Sequence, residues 1–386
     1  MKPGRRLRVL QLITSLAGGA GLHAVQLAQH LDPQRLEVEL AFGPGYPLDA
    51  QVQDASFTHH VLRWSRAATP LSVALGTLDL WRLLLRRRYD IVHTHCSLAG
   101  AIGRPLARLA RVPQVLFTVH AFASHDAQPL LRRTLLLAVE RVLDRATDIY
   151  CVGTQAFRTR LVQQRIADEA RIRVIPLGIQ IGAAPGELQV RQARTQLCLA
   201  PGDLVIAAAG RFERQKGLVH LIAAMPAVLA AVPSARLLIF GEGPLRAELE
   251  AQAARLGLAQ AVRFPGWRSD LVSVLPAAEV FCLASLWEAF GYVLLDAMAA
   301  RVAIVATRVG GVPEVLDGGR LGELVEPADP VELAGALVKL LADPVRRAQL
   351  AHLGRTELES KYPVASMIER HETLYEALTV QMPGTS

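Results

Sequence analysis

The sequence predicts an α/β protein built from two doubly wound, Rossmann-like domains, and three observations lead there. A length of 386 residues exceeds one ordinary core, since a domain averages roughly 150 residues. Short β-branched runs alternate with longer stretches of helical periodicity from end to end, the pattern of parallel sheets covered by helices on both faces. The segment PLGIQIGAAPG (176–186) breaks that alternation with Gly and Pro and reads as the linker. The expected boundaries are 1–180 for the first domain, 181–362 for the second, and 363–386 for a C-terminal helix that packs back on the first.

In the first half, strands are expected at RVLQLIT (8–14), EVELAFG (37–43), HHVLRW (59–64), DIVHTH (90–95), QVLFTVHA (114–121), DIYCVG (148–153) and IRVIPLG (172–178). In the second half they are expected at LVIAAAG (204–210), ARLLIFG (235–241), AVRFPG (261–266), VFCLAS (280–285), AIVAT (303–307) and GELVEP (322–327). Helices fill the gaps. The tail from Pro363 to Leu378 reads as one more amphipathic helix, with Met367, Ile368, His371, Leu374, Tyr375 and Leu378 at helical spacing.

Apolar residues make up 51% and charged residues 20%, which places the chain among folded globular proteins and away from disorder. No apolar run approaches the ~18 uncharged residues that a spanning helix needs. Residues 1–20 imitate a signal peptide, but Gln11, Thr14 and Ser15 interrupt the apolar stretch, and the glycines that follow suit a helix start better. Cys96, Cys151, Cys198 and Cys282 are widely spaced without a C-x-x-C pair, so they read as reduced thiols of a cytoplasmic protein rather than a disulfide or zinc framework.

The net charge of +7 is unevenly distributed. Residues 1–180 hold 23 Lys+Arg against 13 Asp+Glu, a balance of +10, whereas the remainder holds 19 against 22, a balance of −3. Arginines of the first half sit beside apolar residues in LDLWRLLLRRR (78–88) and PLLRRTLLLAVERVLDR (129–145). With aromatics at only 5%, a nucleic-acid surface, which interleaves stacking aromatics with basic residues, is not expected. Peripheral contact with an anionic membrane at the inner face fits these basic, apolar helices; plain solvated arginine faces are the alternative.

Strand one runs into GGAGLHAVQLAQHL (18–31), a glycine turn opening a helix, where backbone can approach an anion and free amides favour phosphate. Gly19, Gly21 and Ala24 also match G-x-G-x-x-A with Glu39 twenty residues beyond Gly19, which keeps a dinucleotide-dependent dehydrogenase in view. His93, His95 and His120 stand at strand ends, where open α/β sheets place ligands and an imidazole can donate to a hydroxyl or phosphate. GRFERQKG (210–217) supplies Arg211 and Lys216 beside a glycine turn, a planar fork and a point charge suited to a diphosphate. In SLWEAFGYVLLDAMA (285–299), Glu288 occupies a turn, the amides of Phe290, Gly291, Tyr292 and Val293 lie at a helix start, and Asp296 follows within the helix. GEGP (241–244) and TRVGGVPEVL (307–316) complete the ordered set.

This set, with GGAG at the start and TVHAF mid-domain, resembles the retaining family-four glycosyltransferases of the GT-B fold, over about residues 7–380. HTHCSLAGAIGRPLARLARVP and TVHAFASHDAQPLLRR further resemble the bacterial capsule and exopolysaccharide branch. The resemblance implies two domains facing across a cleft. It implies that Arg211 and Lys216 bind the nucleotide diphosphate, Glu288 the donor sugar, the amides around Gly291 the phosphates or sugar, and Asp296 the ribose. The Gly18–Gly19 loop would approach the donor phosphates or acceptor, and His120 would lie beside the reacting sugar. Gly241 falls in the donor-binding set, and Trp267 and Arg268 are candidates for the base slot by position. Three departures stand out: Asp296 where the family usually has glutamate, Ala289 for a usual glycine, and a linker without N-G-(V/I)-D.

No D-x-D pair occurs, and Arg211 with Lys216 can supply the cationic stabilisation that a divalent ion gives other transferases, so neither metal nor cofactor is expected. The resemblance implies same-face attack with retention, from a UDP- or GDP-sugar onto a saccharide or lipid-linked saccharide. An NDP-sugar epimerase and a non-catalytic sugar-nucleotide-binding protein are the remaining alternatives.

Overall fold

The computed structural model describes residues 5–45, 48–53, 55–65, 68–122 and 128–380. The chain forms two compact units, Met1–Gly178 together with Val364–Ser386, and Ile179–Pro363.

The first unit is a parallel sheet of β1 (Leu7–Ser15), β2 (Leu36–Gly43), β3 (Thr58–Val61), β4 (Ile91–His95), β5 (Gln114–Thr118), β6 (Ile149–Val152) and β7 (Ile172–Val174), in the order β3-β2-β1-β4-β5-β6-β7. Its helices are α1 (Gly18–His30), α2 (Leu48–Gln53), α3 (Pro70–Arg87), α4 (Ser97–Leu109), α5 (Leu130–Leu143) and α6 (Gln155–Gln163). Alternation along each strand sends neighbouring side chains to opposite faces. Val9 and Leu116 therefore pack with Leu27 and Leu31 on one face, while Leu10, Leu12 and Val92 pack with Leu80, Leu84 and Ala99 on the other. The start of α3 is fixed locally: the Thr69 hydroxyl accepts from the Ser72 amide at 3.3 Å and Pro70 stands in the first turn, where its missing N–H is not needed.

The second unit is a parallel sheet of β8 (Leu204–Ala209), β9 (Ala235–Phe240), β10 (Val262–Gly266), β11 (Val280–Leu283), β12 (Ala303–Thr307) and β13 (Glu323–Val325), ordered β10-β9-β8-β11-β12-β13. Around it lie α7 (Glu187–Gln196), α8 (Leu218–Ala231), α9 (Arg246–Arg255), α10 (Leu271–Val274), α11 (Tyr292–Ala299), α12 (Val312–Val315), α13 (Pro330–Ala342) and α14 (Pro344–Lys361). The last helix, α15 (Val364–Val380), leaves this unit and lays Met367, Ile368, Tyr375 and Leu378 onto the α1 face of the first sheet.

Every strand expected from the sequence is present. The main difference is length: the strand in QVLFTVHA ends at Thr118 and that in IRVIPLG at Val174, each followed by one further bond to the neighbouring strand, from the Val119 amide to the Cys151 carbonyl and from the Ile175 amide to the Val152 carbonyl, both at 2.9 Å; in the second case Pro176, which has no N–H to give, comes next. Among the described residues no helix is long and apolar enough to cross a membrane. Each strand order reverses direction once, between β1 and β4 and between β8 and β11. At such switch points the loops diverge and leave a crevice at the carboxyl ends of the strands.

Candidate active site

The loops that follow β8 and β11 meet at the second switch point. Gly217 makes this approach feasible: it sits at φ +59°, and a Cβ there would come within 2.0 Å of the Ala284 carbonyl oxygen. The Leu286 amide donates to the Gln215 carbonyl at 2.7 Å, and Gln215 Nε2 donates to the Trp287 carbonyl at 3.0 Å. These bonds bring Lys216 to Glu288, where Nζ donates to Oε2 at 2.5 Å. Ser285 Oγ donates to the same oxygen at 3.3 Å, and the Ala289 amide donates to Oε1 at 3.3 Å. From the far side the loop after β12 closes on Glu288: Gly310 has φ +52°, and a Cβ there would overlap the Glu288 carbonyl oxygen at 1.7 Å. The TRVGG segment thus holds Glu288 in place through backbone contact.

Arg211 is half-exposed and pairs with Glu213 at 3.0 Å. Gly241 donates its amide to the Gly266 carbonyl at 2.9 Å, in the loop layer that also carries Gly210. Trp267 is exposed, and both Arg268 Nε and Nη2 donate to the Asp270 carboxylate, at 2.8 and 2.7 Å. At α11, Gly291 caps the helix with φ +84°, Phe290 is buried against Tyr362, and Tyr292 and Val293 form the first turn. One turn further along, desolvation pushes the Asp296 carboxyl up to about 7. A cation, a carboxylate and a helix start therefore line one sheet edge, a combination that can neutralise phosphate and accept hydrogen bonds from hydroxyl groups.

The first switch point is different. Only Leu16 and Ala17 separate β1 from α1, which opens at Gly18 and Gly19, and Gly18 is exposed. Below them lies a chain of neutral hydrogen-bonding groups. The register sets Gln11 beside His93 and His95 beside Thr118. Gln11 Nε2 donates to the Tyr375 hydroxyl at 2.9 Å, and His93 continues the chain, with Nδ1 bonded to that hydroxyl and Nε2 bonded to Thr118 Oγ1, both at 2.6 Å. Gln11 Oε1 can only accept, so His95 Nε2 carries the proton of their 2.8 Å bond and His95 Nδ1 is left as an acceptor facing His120 Nε2 at 3.1 Å. Burial holds all these imidazoles below the ordinary histidine range, His120 down to about 3 and His371 to about 4. After His95 the backbone turns at Cys96 with φ +67° and ψ +161°, a region nearly reserved for glycine and costing about 1–3 kcal/mol.

Glu39, the ribose ligand of the dehydrogenase alternative, is committed elsewhere. It lies buried in the middle of β2, accepts from the Tyr89 hydroxyl at 2.5 Å and bonds His60 Nε2 at 2.6 Å, so that alternative loses its acidic residue.

Comparison with known proteins decides the family. Residues 17–182 match the model of Glycosyltransferase Family 4, and residues 203–343 match that of Glycosyl transferases group 1. A D-inositol 3-phosphate glycosyltransferase of Mycobacterium ulcerans is 31% identical, over 85% of this chain and 74% of its own length. The chain belongs to this glycosyltransferase family. Another relative is the UDP-Gal:alpha-D-GlcNAc-diphosphoundecaprenol alpha-1,3-galactosyltransferase of Escherichia coli, 25% identical over 96% of each chain. Sucrose-phosphate synthase of Thermosynechococcus elongatus superposes with a TM-score of 0.84 at 25% identity, over 97% of this chain and all of its own. The glycosyltransferase thus has the GT-B fold.

Sequence reading did not single out Gln11, His23 or the polar role of His371 and Tyr375 on α15. His93 and His95, two apart on one strand, share a sheet face and were the signal that a polar cluster lay there. Nothing in the linear spacing ties them to a helix nearly 280 residues later.

Proposed function

We propose that this glycosyltransferase moves a hexosyl group, with retention and without a metal ion, from a UDP- or GDP-sugar to a saccharide or lipid-linked saccharide in cell-surface polysaccharide assembly. The observation that carries the reading is the Lys216–Glu288 pair at the β8/β11 switch point. An incoming diphosphate competes for the ammonium, and the released carboxylate becomes an acceptor for sugar hydroxyls. Arg211, held by a surface partner, swings to the second phosphate at little cost. Charge that develops on the leaving diphosphate then meets cations already in place, which is the main contribution asked of the protein. A donor phosphate oxygen takes the proton of the attacking hydroxyl. His120, assigned to the sugar by family resemblance, positions it as a neutral imidazole.

The lipid-linked acceptor of the E. coli relative supports a membrane-associated substrate, and the surface of the first unit suits it. On α5, Leu131, Leu135, Val139 and Val142 are exposed along one stripe, with exposed Arg132 and Arg141 on its flanks. On α3, Leu71, Leu78 and Leu85 recur every seven residues beside exposed Arg82 and Arg86. Basic helices with apolar stripes lie in the headgroup layer of anionic bilayers, giving a cytoplasmic protein at the inner membrane face.

Calorimetry with UDP-, GDP- and ADP-sugars tests the donor class, and proton NMR of the product tests the anomeric outcome. Binding of one uracil or guanine donor and an axial product linkage from an axial donor are expected; inversion, or no binding by any member of the panel, sinks the reading.

A further inference from the structure

Three histidines from separate elements of the first unit, His23 on α1, His95 at the end of β4 and His120 beyond β5, present ring nitrogens that all lie within 4.8 Å of one another. Their ring centroids are 5.1, 5.3 and 5.5 Å apart. Three imidazoles bound to one tetrahedral ion, with metal–nitrogen bonds of ~2.0–2.1 Å, would hold their centroids about 5.2 Å apart. The rings are already at the spacing such an ion requires, and small rotations bring the donor atoms to it.

A second observation points the same way. His23 is fully buried, yet among the described residues neither of its ring nitrogens has a hydrogen-bond partner. Buried polar groups are almost always hydrogen-bonded, so an orphan imidazole inside a ring of other imidazoles calls for a ligand. His95 is oriented for one: its Nε2–H donates to Gln11 Oε1, leaving Nδ1 bare toward His120. A metal-bound histidine almost always shows that arrangement, with the second nitrogen fixed by a carbonyl or carboxylate oxygen. His371 donates Nδ1 to the Met367 carbonyl at 2.8 Å, and its ring lies 5.3 Å from that of His23, closing the cluster from α15.

We propose that His23, His95 and His120 form a binding site for one borderline divalent transition-metal ion, zinc being the best fit. Imidazole nitrogen suits zinc, copper and nickel, and the absence of a carboxylate from the ligand set disfavours magnesium and calcium. On binding, the proton that His120 Nε2 shares with His95 moves to His120 Nδ1, so both imidazoles stay neutral and each offers a lone pair. His120 is the least buried of the three, which leaves the fourth position for water or hydroxide from the strand edge. The site needs no part of the proposed sugar chemistry. If His120 also serves the donor sugar, as that proposal has it, the ion and the sugar compete for it and zinc inhibits the transferase.

The test uses the full chain freed of metal by chelator dialysis. Titration with Co2+ is expected to give the intense visible bands of a tetrahedral ion, saturating at one equivalent and bleached by Zn2+. In His23→Leu, which removes one of the three donors, affinity is expected to fall by more than about 100-fold, while His352→Ala on the surface changes nothing. Absence of tetrahedral bands in the wild type overturns the site, as does unchanged affinity in folded His23→Leu. Should circular dichroism show that variant unfolded, His120→Gln takes its place with the same two readings. Zinc binding that survives both substitutions means a different site; zinc binding lost in them with no effect on turnover keeps the site and removes only the competition with the sugar.

Discussion

The two sheets reverse strand order at corresponding places, and what lies there differs in kind. At β8/β11 the side chains are charged: Lys216 holds Glu288 at 2.5 Å, with both groups partly reachable from solvent. At β1/β4 they are neutral and deeply buried, a run of imidazoles, an amide and a phenol joined by single hydrogen bonds. Topology supplies a crevice in both units, but the surroundings decide what it can hold. A diphosphate needs cations kept ionised, which is inexpensive near the surface. Buried imidazoles avoid the charge penalty by staying neutral, and in that state they donate, accept or ligate.

The largest expected effect tests the charged edge. Lys216→Ala removes the ammonium that would meet the leaving group, and kcat/KM for the donor is expected to fall about 10²–10³-fold, with the fold retained by circular dichroism. Steady-state kinetics within threefold of wild type would end the role given to this residue.

Asp296 adds a pH-dependent feature to the same edge. Its carboxyl titrates at about 7 in the folded protein and near ~3.9 when unfolded. Between those values the native state keeps a proton that the unfolded state has lost, so this group's stabilisation is largest at low pH, declines as pH rises through that window, and levels off above about 7. Asp296→Asn removes the dependence. Urea denaturation from pH 5 to pH 8 should show the variant gaining on wild type by on the order of a few kcal/mol; a constant difference would mean the carboxyl is ordinary. If Asp296 meets the ribose, as the family resemblance implies, donor affinity of the wild type should rise over the same interval, because the carboxylate is the stronger acceptor for ribose hydroxyls.

The neutral edge responds through stability. Tyr375→Phe strips the Gln11 amide and His93 Nδ1 of their shared partner, and a loss of about 1–3 kcal/mol is expected from urea denaturation. A smaller change than a few tenths of a kcal/mol would show that the two groups find other partners. Removing α15 from the first sheet would do more, since Met367, Ile368 and Leu378 leave with it.

The charged edge was far more legible in the sequence than the neutral one. Arg211, Lys216, Glu288 and Asp296 each lie in a short run that follows a strand and contains a glycine, so turn chemistry drew attention to them, and the family resemblance supplied the roles proposed for them. Gly217 and Gly310 show why the runs contain glycine: each lets one loop backbone touch another beside Glu288. The imidazole cluster draws on α1, β4, the loop after β5 and α15, and only the register of β1 with β4 and the return of the last helix unite them. Spacing rules for metal ligands fail for the same reason, because His23, His95 and His120 are separated by 72 and 25 residues. Glu39 shows the opposite error: a correct G-x-G-x-x-A spacing with an acid that folding pairs to Tyr89 and His60.

The surfaces of the units differ as their edges do, and this yields the smallest expected effect. Exposed Leu and Val residues concentrate on the first unit, five of them on α5 alone, namely Leu130, Leu131, Leu135, Val139 and Val142. If that stripe enters a bilayer, Leu135→Ser removes apolar area from the membrane-bound state without touching the core, because Leu135 is 62% exposed already. A buried leucine contributes ~1.5–3 kcal/mol, so partial insertion sets the expected loss at about tenfold in binding to phosphatidylglycerol vesicles, read by sedimentation. Val331→Ser, at an 82% exposed position on α13 of the second unit, is the matched control and should bind as wild type does. Equal binding by both variants would leave α5 as an ordinary solvated helix, and the difference between the units would then be confined to their strand edges.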